Sequence, residues 1–305
     1  MRCIKWLFLL LALVVVMVAC TKPDLPPRPE DDYPEVPDSP VTPEDPGTPK
    51  TLHILAIGNS FSSDAVEQNL WNLFDAAGIP VVIGNLFAPG SYLSHHWNRV
   101  ESQAAEYKYA KVVEGVAKLE EGWVFDAALA DEPWDYISLQ QASDLSGVYK
   151  TYYPYLPDLM QYISGKVEAE IVFHQTWAYP AHSTQEAFAT YGNDQMTMYQ
   201  AIMDVTKTVT KENGINTVIP SGTAIQNART SRLGDTLNRD GLHLELTYGR
   251  YIAACTWFET LSGQSVVGNA YYPVSLTPEL ALLCQTAAHL ACLHPYEVTL
   301  MTHFQ

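Results

Sequence analysis

The stretch that decides the fold reads LHILAIGNSFS, residues 52–62. A mostly apolar run of strand length ends at Gly58, and Ser60 follows almost at once. From Asp64 to Ala77 the apolar residues then recur at helical spacing. A strand that turns sharply into a helix places the turn residue at the carboxyl edge of a sheet, beside the free N–H groups of the first helical turn. Ser60 is therefore a candidate nucleophile, and the alternative is that it only caps the helix.

The beginning of the chain has the pattern of an export signal. Residues 1–20 contain a basic start, a short apolar run from Trp6 to Ala19, and then Cys20. The apolar run is short for a transmembrane helix. The sequence MVAC at 17–20 resembles a bacterial lipobox, which implies cleavage before Cys20 and lipidation of that cysteine. The alternatives are an ordinary signal peptide and an uncleaved anchor.

Residues 21–50 have a composition that cannot form a packed core. Ten of these thirty residues are proline and eight are acidic. An extended chain of this kind rises about 3 Å per residue, so the segment is expected to be a disordered tether that holds a domain off a membrane. We therefore expect the protein in the cell envelope, lipid-anchored through Cys20.

Residues 51–305 have about the length of one α/β domain. The formal net charge of the chain is −17, which disfavours nucleic acid and anionic membrane surfaces as partners and says nothing against sugars. This part of the chain has three cysteines without metal-ligand spacing: Cys255, Cys284 and Cys292. Two of them can form a disulfide, or all three can be free thiols. No metal site or cofactor is predicted.

Strand-like runs alternate with helical patterns along this domain, which favours a five-stranded, mainly parallel sheet with helices on both faces. The strands after the first are expected at 80–87, 134–140, 170–175 and 217–220. The helices are expected at 64–77, 104–121, 156–163, 195–212, 248–261 and 278–291. In such a sheet the ligand site lies beyond the carboxyl ends of the strands. Those ends are Ser60, Gly90, Gln140-Gln141, His174–Trp177 and a loop after Pro220.

A serine becomes a nucleophile when a base takes its proton and a carboxylate orients that base. The segment DGLH at 240–243 stands just before the helix that is expected from Tyr248. Its spacing allows Asp240 and His243 to hydrogen-bond within one turn, so that Asp240 would select the tautomer of His243. The alternative is a surface turn, because Asp-Gly is a common turn pair.

Together these elements resemble the SGNH (GDSL-like) hydrolase superfamily, and in particular an exported lipoprotein branch in gut-type Gram-negative bacteria. The resemblance rests on GNSFS after the first strand, Gly90 after the second, and Asp-x-x-His before a C-terminal helix. It implies a flavodoxin-like three-layer α/β/α fold and an esterase, lipase or deacetylase activity without a cofactor. It also implies that Ser60 is the nucleophile, His243 the base and Asp240 its orienter, with the backbone N–H groups of Ser60 and Gly90 in the oxyanion hole.

The third block departs from the superfamily, because Gly-x-Asn-Asp, which supplies an asparagine donor, is missing. The chain reads LQQASD at 139–144. A glutamine carboxamide offers the same N–H donor on a longer stem, so Gln140 is expected to complete the oxyanion hole, with Gln141 and Ser143 as the next candidates. Four residues at strand ends are expected to line the substrate site, although Trp177 has ordinary packing as its alternative: Gln141, His174, Gln175 and Trp177.

The expected activity is that of a serine esterase that removes O-acyl groups, most simply acetyl, from carbohydrate through an acyl-enzyme on Ser60. Two other readings stay open at this point. The chain is alternatively a non-catalytic glycan-binding lipoprotein on a hydrolase scaffold, which the missing asparagine block suggests. It is alternatively an O-acyltransferase of envelope polysaccharide, in which a sugar alcohol replaces water.

Overall fold

Strand β1, Leu52–Gly58, lies in the middle of a seven-stranded sheet in the computed structural model, which describes residues 50–305. The other strands are β2 Val81–Phe87, β3 Tyr107–Val113, β4 Val116–Trp123, β5 Tyr136–Leu139, β6 Glu170–His174 and β7 Val218–Ile219. Their order across the sheet is β4-β3-β2-β1-β5-β6-β7. The predicted signal segment, the tether and Cys20 lie outside the described residues.

Helices cover both faces of this sheet. They are α1 Ser60–Val66, α2 Leu70–Ala76, α3 Leu93–Ser102, α4 Phe125–Ala130, α5 Tyr155–Ser164, α6 Gln195–Glu212, α7 Ser221–Arg229, α8 Tyr248–Ser262 and α9 Pro278–Leu293. Successive residues of β1 pack into different cores, because side chains alternate across a strand. Ile54 and Ala56 belong to one apolar cluster, and Leu55 and Ile57 belong to the other. The domain is therefore a three-layer α/β/α structure, as expected.

Five strands are parallel, in the order β2-β1-β5-β6-β7. Counted along the chain, this is the 2-1-3-4-5 order of flavodoxin-like folds, and its switch point lies between β1 and β5. The crevice beyond the carboxyl ends of these two strands is the expected place for a ligand. The chain places Ser60 directly after β1 and Gln140 directly after β5.

The predicted helix at 104–121 is wrong, and the sheet has seven strands instead of five. This segment is the antiparallel hairpin β3–β4, which pairs with β2 at the edge of the sheet. Glu114 and Gly115 form its two-residue turn with φ values of 49° and 75°, the left-handed conformation that hairpin turns require. Val116 and Leu119 are 71% and 57% exposed on the edge strand.

Two further elements differ from expectation. The helical pattern at 64–77 forms two helices, α1 and α2, which are separated at residues 67–69. There the side chains of Glu67 and Asn69 bind Asn85 and Tyr271, which are distant in sequence. The segment after Pro220 is helix α7 and not a loop, and every one of its residues is buried. A helix buried on all sides lacks the amphipathic period by which sequence analysis finds helices.

Candidate active site

Ser60 begins α1 directly after Asn59, the residue that caps this helix. Asn59 is buried, and its Oδ1 accepts the backbone N–H of Phe61 at 2.9 Å. The Asn59 Nδ2 donates to the backbone carbonyl of Ser91 at 3.1 Å, which joins the loop after β1 to the loop after β2. Asn59 is thus the capping residue, and the side chain of Ser60 is left available.

The structure brings Ser60, His243 and Asp240 into one hydrogen-bonded line. The Ser60 Oγ lies 2.8 Å from His243 Nε2, and His243 Nδ1 lies 2.8 Å from Asp240 Oδ2. A carboxylate oxygen only accepts, so Nδ1 carries the proton and Nε2 of the neutral ring accepts from the Ser60 hydroxyl. This arrangement can make Ser60 nucleophilic.

The turn between Asp240 and His243 fixes the carboxylate on both oxygens. The backbone N–H of His243 donates to Asp240 Oδ1 at 2.8 Å, while the imidazole engages Oδ2. Partial burial by itself would raise the pKa of Asp240. The hydrogen bonds from His243 and its coulombic attraction outweigh that effect and hold the pKa below its usual value. Asp240 is therefore ionised at neutral pH and able to stabilise a protonated His243.

The backbone carbonyl of Leu242, the residue before His243, is fixed by two side-chain hydrogen bonds. This oxygen accepts the indole N–H of Trp177 at 2.8 Å and the Nδ2–H of Asn238 at 3.0 Å. The Trp177 ring stacks on Phe61 with 4.1 Å between centroids. Because Phe61 follows Ser60 in helix α1, this stack and the Trp177 hydrogen bond join helix α1 to the segment that carries His243.

Gln140 reaches the site but is committed to other partners. Its Nε2 donates to Asn59 Oδ1 at 2.9 Å, and its Oε1 accepts from His174 Nδ1 at 2.8 Å. The backbone groups bound to Asn59 fix the orientation of that amide, which in turn fixes the orientation of Gln140 and the Nδ1–H tautomer of His174. Gln140 is buried behind the Ser60 loop. The structure differs here from the expectation of an oxyanion donor, and Gln140 instead holds Asn59 in place.

The other candidate donors also have partners. Gln141 Oε1 accepts the backbone N–H groups of Leu93 and Ala142, and its Nε2 donates to Thr151. The Ser143 hydroxyl lies 3.0 Å from the hydroxyl of Tyr179. Within residues 50–305, the backbone N–H groups of Ser60 and Gly90 have no hydrogen-bond acceptor. Those two N–H groups are the free donors of the expected set.

The four residues that were expected to line the substrate site do not do so. Gln141, His174, Gln175 and Trp177 are at most 1% exposed. Each is held inside the fold; the Gln175 side chain, for example, binds Pro295 and Thr223. A strand end in a sheet of this size extends beneath the covering loops, so its polar side chains support those loops from inside. The interior-packing alternative for Trp177 is the correct one.

Residues on the adjoining loops are polar and partly exposed instead. The Tyr92 hydroxyl, two residues after Gly90, donates to Asp144 Oδ2 at 2.9 Å. Burial, followed by the hydrogen bond and charge of Asp144, raises the pKa of Tyr92, so this phenol stays protonated. Sequence analysis named Ser143 in this region but missed Tyr92 and Asp144.

Sequence analysis also missed Asp64 and the two arginines that bind it, Arg239 and Arg250. The available signal was a charged residue four positions after Ser60, within a run of apolar helix positions.

In the part of the chain that the structure describes, no group of three His, Cys, Asp or Glu side chains is placed to hold a metal ion. Cys255, Cys284 and Cys292 are free thiols, and burial raises the pKa of each.

Comparisons with known proteins give both distant and strong similarities. A putative SGNH hydrolase from Slackia heliotrinireducens is 19% identical, with a TM-score of 0.49, over 70% of this chain and 100% of its own. An acetylxylan esterase from Geobacillus stearothermophilus is 14% identical, with a TM-score of 0.46, over 69% and 94%. Similarity at this level does not by itself establish a shared fold or function. A search of curated proteins found no match.

A crystal structure of a DUF4886 family protein from Bacteroides uniformis is 47% identical to this chain. It matches with a TM-score of 0.83 over 84% of this chain and 100% of its own. The family model described as "Domain of unknown function (DUF4886)" matches residues 53–291. The chain therefore belongs to the DUF4886 family.

Proposed function

We propose that this protein is a serine hydrolase of carboxylic esters that forms an acyl-enzyme on Ser60. The observation that carries the proposal is the continuous line from Ser60 through His243 to Asp240, with 2.8 Å at each hydrogen bond. The fold brings Ser60 to an Asp-His pair that lies 180 or more residues away in sequence, in a geometry that serves nucleophilic catalysis on unrelated folds. A capped helix would need neither the imidazole nor the carboxylate.

In this mechanism His243 Nε2 takes the Ser60 proton as Oγ forms a bond to the acyl carbon. The ionised Asp240 stabilises the imidazolium, which then protonates the leaving alkoxide as the ester C–O bond breaks. Water activated by the same imidazole cleaves the acyl-enzyme and regenerates Ser60. The free N–H groups of Ser60 and Gly90 are the proposed oxyanion donors, and one such donor typically contributes about 3–4 kcal/mol.

The proposed substrate class is O-acylated carbohydrate, with acetyl as the simplest acyl group. Polar side chains on the loops next to Gly90 support it, since Tyr92 and Asp144 offer partners for hydroxyl groups.

Within residues 50–305 no helix is long and apolar enough to cross a membrane. Anchoring in the cell envelope through lipidated Cys20 is proposed from the sequence alone, and a Cys20→Ser protein that loses metabolic labelling by palmitate would support it.

Ser60→Ala is the first test. The full-length protein, Ser60→Ala and the surface control Ser102→Ala are treated with a fluorophosphonate probe and with 4-nitrophenyl acetate. We expect labelling to vanish and kcat to fall about 10⁴-fold or more in Ser60→Ala alone. A folded Ser60→Ala protein that keeps its turnover would refute the proposal. Release of acetate from acetylated oligosaccharides then tests the substrate class.

A further inference from the structure

Asp64 is a buried carboxylate on the nucleophile helix, four residues after Ser60. Residues four apart lie on the same helix face, and Asp64 is 2% exposed. Its Oδ2 accepts Arg239 Nη1 at 3.0 Å and the backbone N–H of Leu244 at 2.8 Å. Its Oδ1 accepts Arg250 Nε at 2.9 Å. Hydrogen bonds to an ionised carboxylate are short and strong, so these partners hold the Asp64 side chain in one orientation.

Two of these partners flank the Asp240–His243 segment in the sequence. Arg239 precedes Asp240 and Leu244 follows His243. The segment closes on itself as well, because the backbone N–H of Arg239 donates to the carbonyl of His243 at 2.9 Å. Arg239 Nη1 also donates to the carbonyl of Leu244. Asp64 therefore holds both ends of a closed turn and connects them to the helix that carries Ser60.

Arg250 has a different position relative to the same carboxylate. It comes from α8, and its Nη2 approaches Asp64 Oδ1 at 2.7 Å, so it joins helix α8 to helix α1. Its bonds to Asp64 do not include the segment that carries His243. Arg239 and Arg250 thus bind the same buried carboxylate. A variant of Arg239, which adjoins Asp240, can therefore be compared with a variant of Arg250, which does not.

We propose that Asp64 and Arg239 are positioning residues that set the alignment of His243 with Ser60. This inference rests on the proposed function. The turn that carries His243 is partly exposed, with Asp240 47% exposed in its side chain. Without the contacts to Asp64, the turn would still be held through the carbonyls of Gly241 and Leu242, but neither of its ends would be joined to helix α1. A displacement of about 1 Å in a catalytic pair is enough to lower the rate on the order of 10²-fold.

The test compares Arg239→Met with Arg250→Met in the full-length protein. Each variant leaves Asp64 one guanidinium, so both are expected to lower the melting temperature by similar amounts. Only Arg239→Met is expected to lower kcat by about 10- to 100-fold with KM unchanged. We expect Arg250→Met to stay within about threefold of the wild type, and Arg239→Lys, which retains the charge, to recover part of the loss.

A readout that does not depend on turnover separates this inference from the proposed function. Two-bond ¹H–¹⁵N spectra of ¹⁵N-histidine-labelled protein report the tautomer of each ring, and His243→Gln identifies the His243 signals. We expect neutral His243 to be the Nδ1–H tautomer in the wild type and Arg250→Met, and a tautomer mixture in Arg239→Met. If Arg239→Met keeps the wild-type tautomer and kcat, the inference is wrong. If Ser60→Ala keeps its turnover, the proposed function is wrong. The His243 tautomer in Arg239→Met then still shows whether Arg239 positions this ring.

Discussion

Acidification is expected to unfold this protein through two buried histidines, His174 and His96. Burial lowers the pKa of His174 to about 3. Burial, together with the nearby Arg99 and His95, lowers the pKa of His96 to about 3. In an unfolded chain the same side chains have a pKa of about 6.5. Between these values the unfolded state binds a proton at each ring that the native state does not.

The sign of the effect follows from this difference in proton binding. A base with a depressed native pKa leaves stability intact above about pH 6.5, and stability is lost as the pH falls toward the native pKa. One pKa unit corresponds to about 1.4 kcal/mol, so from about pH 7 to about pH 4.5 each histidine costs about 2.5 kcal/mol. The two together cost about 5 kcal/mol, which is a large part of a typical unfolding free energy of about 5–15 kcal/mol.

The assay is urea unfolding of the wild type and of His174→Asn at both pH values. Asparagine keeps an N–H donor for Gln140 Oε1, which His174 Nδ1 contacts at 2.8 Å, and it does not titrate. The loss of unfolding free energy on acidification should therefore shrink by about 2.5 kcal/mol in the variant, whatever its stability at neutral pH. His303→Asn, at an exposed histidine, should lose as much as the wild type. An unchanged acid loss in His174→Asn would refute the reasoning.

Two glycine substitutions test the support of the site and the edge hairpin. A Cβ on Gly58 would lie 2.8 Å from Gln140 Cδ, so Gly58→Ala should lower kcat/KM for 4-nitrophenyl acetate about tenfold and the unfolding free energy by about 1–3 kcal/mol. Gly165→Ala, where the new Cβ meets ordinary contacts, is its control, and equal activities would contradict the role of Gln140. Gly115→Ala places a side chain at φ +75°, 2.9 Å from Trp71. The strained backbone should lower the unfolding free energy in urea by about 1–3 kcal/mol. It should leave kcat unchanged, because the turn lies at the amino ends of β1 and β2, whereas Ser60 follows the carboxyl end of β1; a changed kcat would contradict that placement.

Much of the fold could be predicted because local patterns and the tertiary structure agree. Helix α6 was expected at 195–212 and spans Gln195–Glu212, and the parallel strands lie within a few residues of their predicted positions. The hairpin was not predicted from the sequence because its apolar residues also fit a helical period. Its two-residue turn is Glu114-Gly115, which contains a glycine but is not one of the dipeptides most typical of such turns. Helix α7 offered no period, because it is buried on every side.

The sequence by itself determined which residue types stand at the ends of the strands, since the turn chemistry at Asn59-Ser60 and the Asp240–His243 spacing are local. Only the tertiary structure decided which of those side chains face one another. It turned Gln140 toward Asn59 and His174, and it buried Trp177 beneath Leu242. It also joined Asp64 to Arg239, 175 residues away. Spacing along the chain cannot report such contacts, because they depend on strand order and on the space that remains between packed layers.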